Sequence, residues 1–198
     1  MVVKFLYLLP CSLMVVLSCY GFERIEETYC IPYGNPTAPL KIREYYSFSC
    51  PKCLDLYQKE FTKIKSEYID TGKVYWIFHP DPVDLSTLKA MDCLSRLDSK
   101  QKRLFFESLF EAMRPSTLHK APKLMKKAME YFKKPISKLE ELKYLETTLA
   151  FQAAFEFLKQ NPPIHAVPTI EIEGEIFEEM PTLAFIHEQI EKKLQEKR

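Results

Sequence analysis

The sequence predicts an α/β domain whose strand–helix–strand core is interrupted by a long α-helical insertion. A period-two pattern typical of a strand over residues 40–46 precedes a helical pattern over residues 54–68, and a second apolar strand follows at residues 74–78. Residues 83 to about 160 then show helical periodicity alone, over a stretch too long for a simple crossover connection. Strand patterns return after residue 163.

The composition favours a single domain, and the charge balance does not suggest nucleic acid as a partner. The chain has 198 residues, of which 46% are hydrophobic, and this is enough to bury one sizeable core. Its 28 basic and 27 acidic side chains leave a formal net charge of +1. A chain so close to neutrality gives no indication of nucleic acid or of an acidic substrate as a partner.

The first 22 residues differ from the rest and predict an N-terminal signal peptide. Lys4 is the only charged residue before Glu23, and residues 5–16 are almost entirely apolar. Small or polar residues follow, as they do at a secretory cleavage site. We therefore expect residues 1–22 to direct export.

Three fates of this leader are compatible with its sequence. Residues 16–19 resemble a bacterial lipobox, in which Cys19 becomes the lipidated first residue of the mature protein. Cleavage after Gly21 is the second, and an uncleaved anchor is the third, because residues 5–22 approach the ~20 apolar positions that span a bilayer. All three place the folded part outside the cytoplasm, where disulfides persist.

The first predicted strand carries a carboxylate on its apolar face. Leu40, Ile42 and Tyr46 alternate along it, and Glu44 points to the same side. Burying a carboxylate is unfavourable unless it has a partner or a chemical role. Glu44 is therefore a candidate functional residue, and a surface glutamate on an edge strand is the alternative.

The tetrapeptide Cys50-Pro51-Lys52-Cys53 lies where this strand gives way to the first helix. The unpaired N–H groups and the dipole of a helix amino end favour an anion, so the pKa of Cys50 is expected to fall from ~8.5 into the range ~3.5–7.5. Cys53 lies within reach, so an internal disulfide can open and close by exchange with a substrate. The spacing predicts a thiol–disulfide oxidoreductase with Cys50 as the nucleophile and Cys53 as the resolving thiol.

The two residues between the cysteines are expected to tune this chemistry. Pro51 suits the first turn of a helix, because its missing N–H would be unpaired there. The charge of Lys52 favours the Cys50 thiolate, unless Lys52 is only a solvated side chain at the helix start. Zinc binding is the alternative for the cysteine pair. Structural zinc usually needs four Cys or His ligands, but the four histidines are dispersed and no second close cysteine pair exists, so we predict neither metal nor cofactor.

A helix follows the cysteines, and a second strand follows the helix. Apolar residues recur at steps of three and four along one face of the helix, namely Leu54, Tyr57, Phe61, Ile64 and Tyr68. Gly72 is the expected cap at the helix end. The uninterrupted apolar run at residues 74–78 predicts a central strand buried on both faces.

The rest of the chain predicts four or five short helices, a hairpin and a final helix. Prolines at positions 115, 122 and 135 separate the helices. Residues 169–172 and 175–178 flank a Glu-Gly turn, which predicts a β-hairpin. Thr182 is the expected cap of the last helix, whose apolar face consists of Leu183, Ile186, Ile190 and Leu194.

Two more cysteines, Cys30 and Cys93, belong to the part of the chain expected to fold. Together with the tetrapeptide they allow one catalytic and one structural disulfide, but the sequence does not fix the connectivity. The alternative is two unpaired thiols, since cysteine is among the most often buried residue types.

This order of elements, with Cys-x-x-Cys at the first strand–helix junction, resembles the thioredoxin fold. The helical insertion between core strands two and three resembles the DsbA branch of that fold. Residues 34–42 (GNPTAPLKI) resemble the opening of this family, and residues 68–74 (YIDTGKV) resemble its entry into core strand two. The similarity extends over about residues 33–195. The resemblance implies three parts after the signal peptide. The first half of the thioredoxin-like domain comprises residues 23–82, the helical insert comprises residues 83–161, and the second half comprises residues 162–198.

The resemblance also implies roles for residues outside the tetrapeptide. Glu44 stands six residues before Cys50, where the family keeps an acidic residue, and is implied to accept the proton of Cys53 during resolution. Val167 and Pro168 match the loop that holds the family's cis proline, so a cis bond packed against the sulfurs is implied. The Pro-Lys dipeptide between the cysteines departs from the Pro-His of the best-known oxidases of this branch. The valine before the cis proline, Val167, resembles the residue that those oxidases have at that place.

The resemblance therefore implies a monomeric periplasmic oxidase that forms disulfides in exported proteins. Unfolded proteins with cysteines are its implied clients, and a membrane or soluble redox partner reoxidises it. The sequence leaves the direction open, since a periplasmic reductase of the same fold uses the same two cysteines in reverse. A redox-inactive chaperone that binds unfolded clients is the alternative from another functional class.

Overall fold

The computed structural model describes residues 28–81, 84–134, 147–160, 164–178 and 182–197. The predicted signal peptide and Cys19 lie outside the described residues, so the fate of the leader stays a prediction. Within the described ranges, no helix is both long enough and apolar enough to cross a bilayer.

Five strands form one mixed sheet. They are β1 (Ile31–Tyr33), β2 (Leu40–Tyr46), β3 (Val74–Pro80), β4 (Thr169–Ile172) and β5 (Glu175–Phe177). The order across the sheet is β1-β3-β2-β4-β5, with β2 and β3 parallel and the other neighbours antiparallel. The predicted strands and hairpin are confirmed, and β2 lies at the centre of the sheet.

The sequence pattern does not predict β1. Its three residues include Pro32 and are too few to display alternation. In the structure, Ile31 lies opposite Phe78 and Tyr33 lies opposite Trp76 on β3. Ile31 and Tyr33 are both buried, so this short strand covers the outer side of β3 and makes β3 an internal strand.

The first helix, α1, comprises residues 51–69 and turns its predicted apolar face inward. It begins as an α-helix at Pro51–Leu56 and widens into π turns at Tyr57–Phe61 and Lys65–Ile69. The predicted apolar residues are buried, apart from one that is half-buried: Leu54, Phe61, Ile64 and Tyr68, with Tyr57 the half-buried one. Gly72, at a φ of +75°, follows the helix as the predicted cap.

All the regular secondary structure in the described residues of the insertion between β3 and β4 is helical. It consists of α2 (Leu85–Ser95), α3 (Ser99–Ala112), a 3₁₀ helix (Pro115–Lys120), α4 (Ala121–Tyr131) and α5 (Leu149–Gln160). Pro115 and Pro122 each lie in the first turn of a helix, where a missing N–H leaves no partner unsatisfied. Pro135 lies outside the described residues.

An aromatic cluster joins the insertion to one face of the sheet. The ring of Phe106 on α3 lies 4.5 Å from that of Phe78 on β3 and 4.4 Å from that of Phe110. The rings of Tyr46 and Phe48 lie between 5.2 and 6.1 Å from the same two α3 rings. Each such pair stabilises packing by ~0.5–1.5 kcal/mol, so α3 is anchored beside the segment that leads to the cysteine pair.

The final helix, α6 (Leu183–Glu196), packs against β2 with the predicted apolar face. Ile186, Ile190 and Leu194 are buried. The Thr182 hydroxyl accepts a hydrogen bond from the backbone N–H of Phe185 at 3.2 Å and caps the helix as predicted.

Candidate redox-active site at the start of the first helix

Cys50 occupies the N-cap position of α1, as its sequence context predicts. Its Sγ atom accepts a hydrogen bond from the backbone N–H of Cys53 at 3.2 Å. The pKa of Cys50 is lowered to about 6, chiefly by a hydrogen bond from the Cys53 side chain. Burial opposes this change, while the backbone N–H groups of Cys53 and Lys52 and the charge of Lys52 add to it. Cys50 is therefore mostly a thiolate at neutral pH.

Cys53 lies one turn into α1 and has no exposed surface. Burial raises the pKa of its thiol far above the ordinary value, and the hydrogen bond to Cys50 and the negative charge of Cys50 raise it further. Two thiols of one tetrapeptide are thus in opposite states, one ionised and half-buried, the other protonated and enclosed. This is the asymmetry that a nucleophile and a resolving thiol need.

The residues between the cysteines are exposed on the first turn of α1. Pro51 is the first residue of the helix. The charge of Lys52 lowers the pKa of Cys50, in the direction expected, but it contributes less than the hydrogen bonds do. The backbone N–H groups of the first helical turn therefore lower the pKa of Cys50 more than the charge of the lysine side chain does.

Glu44 lies in the middle of β2, between Phe78 on β3 and Ile170 on β4. It is 2% exposed, so the alternative of a surface glutamate on an edge strand is wrong. Burial raises the pKa of its carboxyl to about 8. The indole N–H of Trp76, which makes no hydrogen bond of normal geometry, opposes this increase, and the charge of Cys50 adds to it. A carboxyl in this pKa range can exchange a proton near neutral pH.

The loop before β4 reaches the cysteine pair. The Val167–Pro168 peptide bond is cis, as the resemblance implies. The carbonyl oxygen of Val167 lies 3.4 Å from Cys50 Sγ, close enough to accept a hydrogen bond from the thiol. The Thr169 hydroxyl donates to the carbonyl of Ala166 at 2.6 Å and so holds the loop closed on itself. The structure thus brings this loop to a cysteine 117 positions earlier in the chain.

Cys30 and Cys93, for which the sequence leaves both a disulfide and two separate thiols open, are thiols in this structure, as are Cys50 and Cys53. Both Cys30 and Cys93 are buried within the apolar core, and burial raises the pKa of Cys93. Each is packed here as a small apolar side chain. A structural disulfide between them stays a prediction.

A hydrogen-bonded cluster adjoins the turn that precedes the cysteine pair, and sequence analysis does not find it. The Ser47 hydroxyl donates to Asp84 Oδ2 at 2.5 Å, and the Thr87 hydroxyl donates to the same oxygen at 2.7 Å. The backbone N–H of Phe48 donates to Thr87 Oγ1 at 3.0 Å. An aspartate just before an apolar helical run does predict a helix cap at Asp84. It does not predict contact with a serine 37 positions away.

In the described ranges, the histidines do not assemble a metal site with the cysteines. Within the part of the chain that the structure describes, no group of three or more His, Cys, Asp or Glu side chains is placed to hold a metal ion. The ring of His79 lies 5.0 Å from that of Tyr45 and 4.3 Å from that of Phe157, and burial lowers its pKa to about 3. His187 shares a hydrogen bond with the Tyr68 hydroxyl at 2.8 Å. Both side chains therefore have structural partners of their own.

A family model described as Thioredoxin matches residues 26–192 of this chain. The chain belongs to the thioredoxin family. The match includes the cysteine pair, the whole insertion and the loop before β4. A member of this family with one ionised and one protonated thiol in Cys-x-x-Cys is a thiol–disulfide oxidoreductase.

Solved structures of DsbA-like proteins show the same fold as this thioredoxin-family chain. Oxidised BdbD from Bacillus subtilis matches with a TM-score of 0.67 at 21% identity, over 83% of this chain and 92% of that one. Alpha-DsbA1 from Wolbachia pipientis matches with a TM-score of 0.64 at 21% identity, over 84% and 92%. DsbA from Chlamydia trachomatis gives 0.62 at 20% identity, over 84% and 90%. The predicted thioredoxin-like fold, with a helical insertion between core strands two and three, is confirmed.

Sequence similarity to a curated relative is local. The "Probable disulfide bond formation protein D" of Bacillus anthracis is 30% identical over 88 residues. The match covers 42% of this chain and 41% of that protein, so it spans less than half of the relative's length.

Proposed function

We propose that the protein is an extracytoplasmic oxidase that forms disulfide bonds in exported proteins. A substrate thiolate attacks Cys50 in the Cys50–Cys53 disulfide, a mixed disulfide forms at Cys50, and the Cys53 sulfur leaves and is protonated. A second substrate thiolate then attacks the substrate sulfur of the mixed disulfide, and Cys50 leaves as a thiolate. Two electrons pass to the cysteine pair, and the substrate gains one disulfide.

The lowered pKa of Cys50 is the observation that carries the oxidising direction. A stable thiolate favours the reduced form of the pair, and a pair whose reduced form is stabilised is a strong oxidant. Each unit by which the pKa of one thiol falls corresponds to about 30 mV of reduction potential. Val167 before Pro168 supports the same direction, because it resembles the residue at that place in the oxidases of the DsbA branch.

Glu44 is the proposed proton donor and acceptor for Cys53. Because burial places the pKa of its carboxyl at about 8, Glu44 is mostly protonated at neutral pH and can protonate the Cys53 sulfur as it leaves. The same carboxylate takes the proton back when the cysteine pair closes again. Replacement by glutamine keeps the shape and removes the proton exchange, so Glu44→Gln is expected to slow the steps at Cys53 more than those at Cys50.

We further propose that the protein is exported and that its cysteine pair is reoxidised after each cycle. Residues 1–22 have the features of a signal peptide, and lipidation at Cys19 would tether the mature protein to a membrane. Unfolded exported proteins that contain cysteines are the proposed clients. Each cycle leaves the cysteine pair reduced, so a membrane or soluble redox partner has to accept its two electrons.

A peptide with two reduced cysteines tests this function when it is mixed with stoichiometric oxidised protein. Wild type is expected to convert the peptide to its disulfide, and Cys50→Ala is expected to leave it reduced. If both proteins leave the peptide reduced but suppress the aggregation of an unfolded client equally, the chaperone alternative replaces the enzyme.

Equilibration with glutathione decides the direction. We expect a reduction potential closer to the value of about −120 mV found for a strong oxidant than to the value of about −270 mV found for thioredoxin. A potential near the thioredoxin value would make the protein a reductase, although the same two cysteines would carry the reaction.

A further inference from the structure

The two carboxylate oxygens of Asp84 have separate partners. Oδ1 accepts hydrogen bonds from the backbone N–H groups of Ser86 and Thr87 at 2.8 and 3.0 Å, and these bonds cap α2. Oδ2 accepts the hydroxyls of Ser47 and Thr87 at 2.5 and 2.7 Å. One oxygen therefore serves the helix, and the other fixes the turn before the cysteine pair.

Ser47 is the residue through which Asp84 reaches the sulfurs. The Ser47 hydroxyl oxygen also accepts the backbone N–H of Ser49 at 3.0 Å, and the Ser47 carbonyl accepts the backbone N–H of Cys50 at 3.2 Å. The backbone of Ser47 also lies close enough to Cys53 to lower the pKa of that thiol, although no hydrogen bond of normal geometry joins the two residues. Ser47 is 2% exposed, so its own side chain is shielded from water.

The thiolates of the two cysteines depend on different donors. The groups that favour the Cys50 thiolate belong to Cys53 and Lys52, which lie on α1 itself. At Cys53, burial, Cys50 and Glu44 all raise the pKa, whereas the backbone N–H of Ser47 lowers it. Displacing Ser47 should therefore disfavour the ionised form of Cys53, whereas the Cys50 thiolate keeps the hydrogen bonds that it accepts from residues of α1.

We propose that Asp84 is a positioning residue that holds Ser47 in place for the step in which Cys53 attacks. The proposal rests on the proposed function in that it takes Cys53 as the resolving thiol. In this step the Cys53 thiolate attacks the Cys50 sulfur of a mixed disulfide, the Cys50–Cys53 bond forms, and the partner leaves as a thiolate. The proton of Cys53 passes to Glu44 before the attack.

Oxidised glutathione separates this step from the earlier one in the reduced full-length protein. Attack by Cys50 releases one glutathione thiolate and leaves the other glutathione joined to Cys50. Attack by Cys53 then closes the protein disulfide and releases the second. Mass spectrometry of acid-quenched samples follows the rise and the decay of the glutathione adduct, so it gives a rate for each phase.

Asp84→Asn is the variant that separates the two roles of Asp84. Asparagine keeps an oxygen that caps α2, but it replaces the acceptor for Ser47 and Thr87 by an NH₂ group. We expect adduct decay to slow about fivefold, and adduct formation to change by less than about twofold, because one hydrogen bond near Cys53 is lost.

Three further substitutions, at two positions, test the same contact without removing the carboxylate that caps α2. Ser47→Ala removes the hydroxyl that Asp84 holds, and it is expected to slow adduct decay selectively as well. Thr87→Ser keeps a hydroxyl that Thr87→Val removes, so the serine variant is expected to resolve the adduct faster than the valine variant. A purely structural contact would lower the melting temperature of these variants without changing the ratio of the two rates.

Asp98→Asn is the matched control. Asp98 caps α3 by accepting the backbone N–H of Gln101 at 2.9 Å, so the substitution makes the same chemical change at another helix start of the insertion. Both phases should then keep their wild-type rates. Equal slowing of both phases in Asp84→Asn would overturn this inference and leave the proposed function standing. Wild-type rates in both Asp84→Asn and Ser47→Ala would do the same. A wild-type protein that forms no glutathione adduct would overturn the proposed function, and the inference with it.

Discussion

Cys50 and Cys53 are three positions apart, yet the pKa values of their thiols move in opposite directions. The spacing in the sequence predicts that the two sulfurs can meet and that Cys50 lies at a helix amino end. It does not predict how deeply Cys53 is enclosed, because that depends on the residues that pack around α1. Burial of one sulfur is what turns a generic Cys-x-x-Cys into a pair with distinct roles.

Trapping of a client that carries a disulfide tests these roles directly. In Cys53→Ser the Cys50 thiolate is expected to attack the client disulfide, to release one client sulfur as a thiolate and to stay joined to the other, since the thiol that would release the client is gone. Cys50→Ser should trap almost none, because the remaining thiol is protonated and enclosed. Non-reducing gel electrophoresis with such a client measures both variants, and equal trapping would invert the assignment.

Other site residues differ in how far the sequence reveals them. The phase of Glu44 with the apolar residues of β2 predicts its burial, which the structure confirms. The approach of Val167 to Cys50 follows only from the family resemblance, since no local pattern links residues 117 positions apart. The bond between Ser47 and Asp84 has no local signal, because serine and aspartate are common wherever helices begin.

At the scale of elements, alternation and helical spacing are sufficient for β2, β3, the hairpin, α1 and α6. They fail for β1, whose three residues are held in place by pairing with β3. The turn after β1 packs closely against the start of β3. Gly34 has a φ of +90°, and a Cβ atom there would lie 2.7 Å from the carbonyl oxygen of Val74.

Gly34→Ala is therefore expected to destabilise the protein through both backbone strain and overlap. Each strained φ costs about 1–3 kcal/mol, and the contact with Val74 adds to it. Gly174→Ala is the matched control, because its φ of +86° is similar but nothing lies within 4 Å of the added carbon. Urea unfolding should show a larger loss of unfolding free energy for Gly34→Ala, and equal losses would remove the steric explanation.

At the scale of the whole molecule, the sheet order creates the site. Because β2 lies between β3 and β4, Glu44 is enclosed on both sides and the loop before β4 arrives at the cysteines. The sequence predicts the fold class and the helical insertion, because both follow from the order of local patterns. It cannot predict which insert residues touch the active-site turn, since that contact depends on the tertiary packing of α2 and α3.

The buried carboxyl gives stability a pH dependence with a definite sign. Burial raises the pKa of Glu44 from 4.5 to about 8. Between these values the folded protein keeps a proton that the unfolded chain has lost, so Glu44 makes the protein less stable as the pH rises. Glu44→Gln removes this titration.

The stability of Glu44→Gln relative to wild type should therefore increase with pH across this window, by up to about 1.4 kcal/mol per pH unit, and level off above it. Urea unfolding of the oxidised proteins measures the difference, because Cys50 does not titrate in the disulfide. A difference that stays constant with pH would contradict the raised pKa of Glu44.

The pH dependence of Cys50 alkylation in the reduced protein measures the ionisation of the nucleophile itself. Iodoacetamide reacts with the thiolate, and peptide mass spectrometry assigns the modified cysteine. We expect the reaction rate of Cys50 to rise with a midpoint near pH 6, and Cys53 to stay unmodified while the protein is folded. A midpoint near the ordinary cysteine pKa of about 8.5 would contradict this expectation.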